Sequence, residues 1–226
     1  MSNPRLLPAL AVGLSALLLS GCGAGASPGV GVTVGDETIS ASRIDAVTGN
    51  LCTALQDRFE GQRVPLGVIR QGVVQFLALD SQAEQIAEDY GVSPSASYQR
   101  AVTENTRAAS VMPEEVRADY IEVLSSEALA SDVAEQVGRA KLAGEGFAEP
   151  TVEQVTQAGA DVFATWPDAN GIEVNPKYGV ELTNGTLSPI DTNLSFALSD
   201  EAKAGMATEP DPTYAGSLPS SQRCGG

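Results

Sequence analysis

The sequence predicts a mainly α-helical domain of five or six helices, with short strands near its two ends. Three observations lead there. Apolar residues recur every three or four positions along several long segments, the period of a helix with one buried face. Helix-favouring Ala, Glu and Gln are plentiful, while aromatic residues make up only 5% of the chain, which disfavours an all-β core. Strand-like segments bounded by turn residues are confined to Val32–Ile39 and Ile172–Leu182.

The elements follow in order. Val32-Thr33-Val34, then Gly35-Asp36, then Glu37-Thr38-Ile39 reads as a short strand with a tight turn. Ser40 is a good N-cap for a first helix, whose apolar stripe of Ile44, Val47, Leu51, Leu55 and Phe59 carries it to Phe59 before Gly61. Pro65 suits the first turn of a second helix, with Ile69, Val73, Phe76, Leu77, Ala83, Ala87 and Tyr90 on one face and Gly91 as C-cap. Ser93 caps a polar third helix from Pro94 to Ala109. A fourth starts at Pro113-Glu114-Glu115, where acids favour the positive helix end, and Ser125-Ser126 is a place for it to kink or split. Gly144 and Gly146 end it. Thr151-Val152-Glu153-Gln154 fits a capping box for a last helix closed by Pro167, with Gly159 a weak point inside. Asp168-Ala169-Asn170-Gly171 then reads as a turn, Ile172–Val174 and Val180–Leu182 as strands, and Asn175-Pro176-Lys177-Tyr178-Gly179 as the turn between them.

Four stretches divide the chain: a leader over 1–21, a flexible Gly/Ser tether over 22–31, a helical domain over 32–206 and an extended, proline-bearing tail over 207–226. The leader has one early cation, Arg5, and an apolar run from Leu6 to Leu19. That run is shorter than the roughly 20 residues a helix needs to span a bilayer. It ends in Leu19-Ser20-Gly21-Cys22, which resembles the lipobox of bacterial lipoproteins. The resemblance implies cleavage before Cys22 and acylation, palmitate included, of that residue. The domain would then be held by lipid at the extracytoplasmic face of the cell membrane.

Val32 to Ser40 (VTVGDETIS), leading into Arg43-Ile44-Asp45 on a helix, resembles the N-terminal domain of the SurA/PrsA class of exported folding factors. The likeness spans roughly residues 32–182. It implies a helical bundle in which a C-terminal strand, here Ile172 to Leu182 around the Asn-Pro-Lys-Tyr-Gly turn, returns to the first and forms a small antiparallel sheet. It also implies chaperone-like handling of unfolded or exported polypeptides. Many relatives insert a parvulin-type prolyl isomerase domain that relies on histidines. This chain has no histidine, and only a short linker around Gly144-Glu145-Gly146 separates its last two helices, so isomerase activity is not expected.

Charge and residue types narrow the function further. Without the leader, 12 Lys+Arg face 29 Asp+Glu, a surface that repels nucleic-acid phosphates and anionic headgroups. Attachment to a membrane must then come from lipid. A serine nucleophile has no histidine to take its proton, and Lys141, Lys177 and Lys203 sit in no serine-lysine motif. The acid pairs Glu114/Glu115, Asp119/Glu122 and Asp200/Glu201 read as solvated helix faces. Asp191-Thr192-Asn193-Leu194-Ser195 opens like a calcium loop, but Phe196 and Ala202 stand where glycine and glutamate are needed. No phosphate-cradling glycine motif occurs, and no metal or cofactor is expected.

With Cys22 acylated, Cys52 and Cys224 remain, and an oxidising compartment favours a disulfide between them over two free thiols. The stripes Val116, Tyr120, Val123 and Phe163, Trp166 admit two readings: a client-binding groove or ordinary core. The expected function is a membrane-anchored, non-enzymatic, chaperone-like lipoprotein. The alternative is an envelope adaptor that binds one defined folded protein. A solute receptor is disfavoured, because such proteins usually have two lobes and a longer chain.

Overall fold

The structure, a computed structural model, describes residues 28–183, 185–190, 199–205 and 212–225. The leader, Cys22 and most of the tether lie outside the described residues, as do Asn184 and positions 191–198 of the calcium-loop candidate.

The fold is mainly helical with small antiparallel sheets. Strand β1 (Val30–Val34) turns at Gly35-Asp36 into β2 (Glu37–Ser40), with Val32 opposite Ile39 and Val34 opposite Glu37. The strand begins inside the expected tether. Gly31 is buried there, and a Cβ on it would lie 2.3 Å from Ile44 Cδ1. Gly35 takes a positive φ, and a Cβ there would lie 2.8 Å from the Trp166 ring, so this turn admits little but glycine.

Helix α1 (Ala41–Ala54) is capped by Ser40, whose Oγ accepts from the Arg43 N–H at 3.1 Å. It stops five residues short of Phe59. Gln56–Phe59 tightens into a 3-10 turn, and Glu60 takes a left-handed conformation. Strand β3 (Val64–Pro65) leads into α2 (Leu66–Tyr90), with Pro65 at the N-cap and Gly91 closing the helix at φ +62°. Helix α3 (Ala96–Ala109) begins later than expected, with Ser95 rather than Ser93 as its cap. The cause is Asp132, on α4 (Glu114–Gly144), which accepts from the Ser95 N–H at 2.7 Å and from the hydroxyls of Ser95 and Ser97. Burial pushes the Asp132 carboxyl up, but these donors and Gln136 outweigh it and hold it below the usual carboxylate value.

Helix α4 runs unbroken through Ser125-Ser126, against the expected kink. Both hydroxyls are buried and satisfied: Ser126 Oγ donates to the Val123 carbonyl, and Ser125 Oγ accepts from Asn105 Nδ2 on α3. Helix α5 (Val152–Asn170) has the capping box at Thr151 and Gln154 and crosses α4 at two glycines. A Cβ on Gly159 would lie 2.1 Å from the Ala134 carbonyl oxygen, and one on Gly138 would lie 2.3 Å from that of Val155. Gly159 is thus the condition for the crossing, not a weak point. The helix also continues past Pro167. Proline cannot donate to the Phe163 carbonyl, and Gln82 Nε2 on α2 donates to it instead at 2.9 Å.

Strand β4 (Ile172–Val174) pairs antiparallel with β1, placing Val174 opposite Val32 and giving the sheet order β2-β1-β4. The return ends there. Strand β5 (Val180–Thr183) pairs with β6 (Thr186–Pro189) and not with β1. Short helices α6 (Asp200–Gly205) and α7 (Pro212–Ser217) follow. The tail is not simply extended: α7 buries Ala215, and β7 (Arg223–Cys224) pairs with β3, Cys224 opposite Val64. Cys52 and Cys224 are joined by a disulfide across 172 positions, with Cα atoms 5.5 Å apart. The main core gathers residues of α1, α2, α4 and α5 under the β1–β2 hairpin. Among the described residues no helix is long and apolar enough to cross a membrane.

Candidate functional site

A cleft of about 710 Å³ opens where β2, α1, α2, α3 and α4 meet. Its lining is half apolar in kind: Ile39, Leu77, Tyr98, Val102 and Ile121 supply greasy surface. Its charge is lopsided. Glu37 comes from β2, Asp80 and Glu84 from α2, and Glu122 from α4, against one cation, Arg43 of α1.

Arg43 is already committed. Its Nη1 lies 2.7 Å from Asp119 Oδ1, and its Nη2 lies 2.5 Å from Glu122 Oε2. Asn50 Nδ2 donates to the other Asp119 oxygen at 2.6 Å. Glu37 accepts from the Ser81 hydroxyl. Gln85 ties the hairpin to α2, donating to the Val34 carbonyl at 2.8 Å and accepting from the Asp36 N–H at 3.3 Å. Among the described residues no Lys or Arg is ion-paired with Glu37, Asp80 or Glu84.

The carboxyls respond to this crowding. Burial, then the negative charges of Glu84, Glu122 and Glu37, push Asp80 up from 3.8 to about 7. Glu84 is raised by burial and by Glu37 and Glu122, and the Tyr98 hydroxyl by burial and by Asp80 and Glu84. An added positive charge would relieve all three groups. In chemical terms the cleft is suited to bind a group that is part cationic and part apolar. Among the described residues no three His, Cys, Asp or Glu side chains converge as a metal site.

The apolar stripes singled out in the sequence lie elsewhere. Val116, Tyr120 and Val123 are each 2% exposed and belong to the core, as does Trp166 at 7%, with its Nε1 donating to Asp89 at 3.0 Å. Phe163 is half-buried and packs on the same core. The stripes are therefore core and not a client groove, because a domain of this size needs those side chains inside. The cleft uses a neighbouring face of α4, with Ala118, Ile121, Glu122 and Ser125. Asp119 and Glu122 do come together, but around Arg43 and not as a pair of reacting acids. Sequence reasoning missed Glu37, Asp80 and Glu84. The available signal was on α2, where Asp80 and Glu84 continue the three-four spacing of Val73, Phe76 and Leu77.

No protein-family model, curated protein or solved structure matches this chain.

Proposed function

We propose that this chain is a lipid-anchored, extracytoplasmic, non-enzymatic protein that holds exported polypeptides in the manner of the SurA/PrsA folding factors. The observation that carries the reading is the cleft: an open, half-apolar, acid-rich groove walled by a strand and helices, of a size for a short stretch of polypeptide. Holding a chain segment requires transient burial and charge pairing, and no reacting group. The anchor rests on Leu19-Ser20-Gly21-Cys22. The test is light scattering of several unrelated unfolded proteins. The full chain should slow aggregation of each at near-equimolar ratio, and no effect on any of them would refute the reading. A Cys22→Ala form should leave the membrane fraction or remain unprocessed.

One observation favours the second reading, an adaptor for a single folded partner. Among the described residues both apolar stripes pack into the core, so the acidic cleft, and not a broad greasy groove, is the surface offered to a partner. An adaptor would ignore the unfolded proteins and retain one partner on capture at the membrane.

A further inference from the structure

Among the described residues, strand β2 has a strand neighbour on one side only, since the sheet runs β2-β1-β4. All four of its residues, Glu37, Thr38, Ile39 and Ser40, line the cleft. Successive side chains of a strand point to opposite faces. A cleft touching four in a row therefore runs along the strand's edge and not over one face. Such an edge presents backbone N–H and C=O groups able to pair with another strand. Across from it stand Asp80 and Glu84, carboxylates with no cationic partner among the described residues, next to Leu77, Val102 and Ile121.

We propose that β2 is a docking edge, and that its occupant is an extended, Lys- or Arg-bearing segment of another polypeptide, added as a fourth strand with its cations against Asp80 and Glu84. The proposal rests on the function proposed above and gives it a binding mode and a client chemistry. Main-chain hydrogen bonds to β2 supply sequence-tolerant affinity, and the acids and apolar patches choose among segments. At about 3.3 Å per residue, a four-residue edge takes up an extended stretch of about 13 Å. The charge pairing is complementary in the simplest sense. Glu37, Glu84 and Glu122 already crowd Asp80, and Arg43 is held by Asp119 and Glu122, so an incoming cation meets a site with surplus negative charge.

The test uses the full chain in nonionic detergent and a blocked, fluorescent hexapeptide of alternating Lys and Val. Two control peptides carry Glu in place of Lys, or N-methyl groups on alternate amides that remove strand hydrogen bonds. The Lys peptide should bind, weaken as salt rises, and slow amide exchange over residues 37–40, while both controls fail to bind. The double variant D80N/E84Q, with its melt recorded beside the wild type, should bind about tenfold more weakly. No binding, equal binding of either control, or protection away from 37–40 would overturn the docking edge. Aggregation assays on the same samples separate the two claims. Client protection without peptide binding overturns the edge and leaves the proposed function standing. Peptide binding without client protection supports the edge and overturns the proposed function.

Discussion

Gln82 completes a helix it does not belong to. Its side-chain amide, buried on α2, donates to the Phe163 carbonyl that Pro167 leaves without a donor four residues on. This is why α5 runs through a proline to Asn170. Gln82→Leu should therefore destabilise the fold by about 1–3 kcal/mol, the cost of stranding a polar group away from water. The cost should shrink in a Pro167→Ala background, where the residue at 167 regains an N–H. Urea melts of the four proteins check this, and an undiminished cost would refute the role assigned to Gln82.

The α4–α5 crossing makes a second prediction. On propensity alone, Gly159→Ala in a helix should stabilise by roughly 1 kcal/mol. Here the new methyl group would meet the Ala134 carbonyl at 2.1 Å, and backbone cannot rotate aside as a side chain can. The variant should instead lose about 1–3 kcal/mol or more. Denaturant midpoints give the sign directly.

The Cys52–Cys224 bond closes a loop of 172 positions. In the chain-entropy model such a loop contributes about 5 kcal/mol. Replacing both cysteines by serine should lower the melting temperature by up to roughly 10–20 °C. It should also make residues 212–225 sensitive to protease, since β7 rests on a two-residue pairing with β3. Peptide mapping without reduction, and limited proteolysis of the variant, measure both effects.

Asp80 sets the pH dependence of the cleft. Its folded value of about 7 stands above its ordinary 3.8, so the folded chain holds that proton more tightly than the unfolded one. The stabilisation is complete below about 3.8 and is lost as pH rises through about 7. The raised value of Glu84 acts in the same direction. Asp80→Asn cannot lose a proton. It should raise the melting temperature at pH 8 by a few degrees, on the order of 1 kcal/mol after allowing for the partial exposure of the group, and by only about a third of that at pH 5. Thermal melts across pH 5–8 decide it.

Much of the fold was legible because it depends on local signals. Ser40, Gly91 and the Thr151–Gln154 box fixed helix ends, and the 3.6 period of Val116, Tyr120 and Val123 fixed a buried face. The features that escaped are those set by residues distant in sequence. Pro167 reads as a stop until Gln82 is placed beside it, and Gly159 reads as a defect until Ala134 is. The start of α3 moved to Ser95 because Asp132 is 37 positions away. Cys224 announced the link of the tail to Cys52, but the pairing of β7 with Val64 and the burial of Ala215 depend on residues that nothing else in 212–225 points to. The cleft was hidden for the same reason. Glu37, Asp80, Glu84 and Glu122 come from three elements, and each alone resembles any solvated acid.

The most direct test of the account is photocrosslinking at the membrane, from a photoreactive residue placed at Thr38 or Val102 in the full chain, followed by identification of what is captured. Both positions line the cleft and neither carries its charge. Crosslinks should form to many different exported polypeptides, through extended segments rich in Lys or Arg, and should be lost in D80N/E84Q. Capture of one folded partner, or crosslinks unchanged in that variant, would contradict the account.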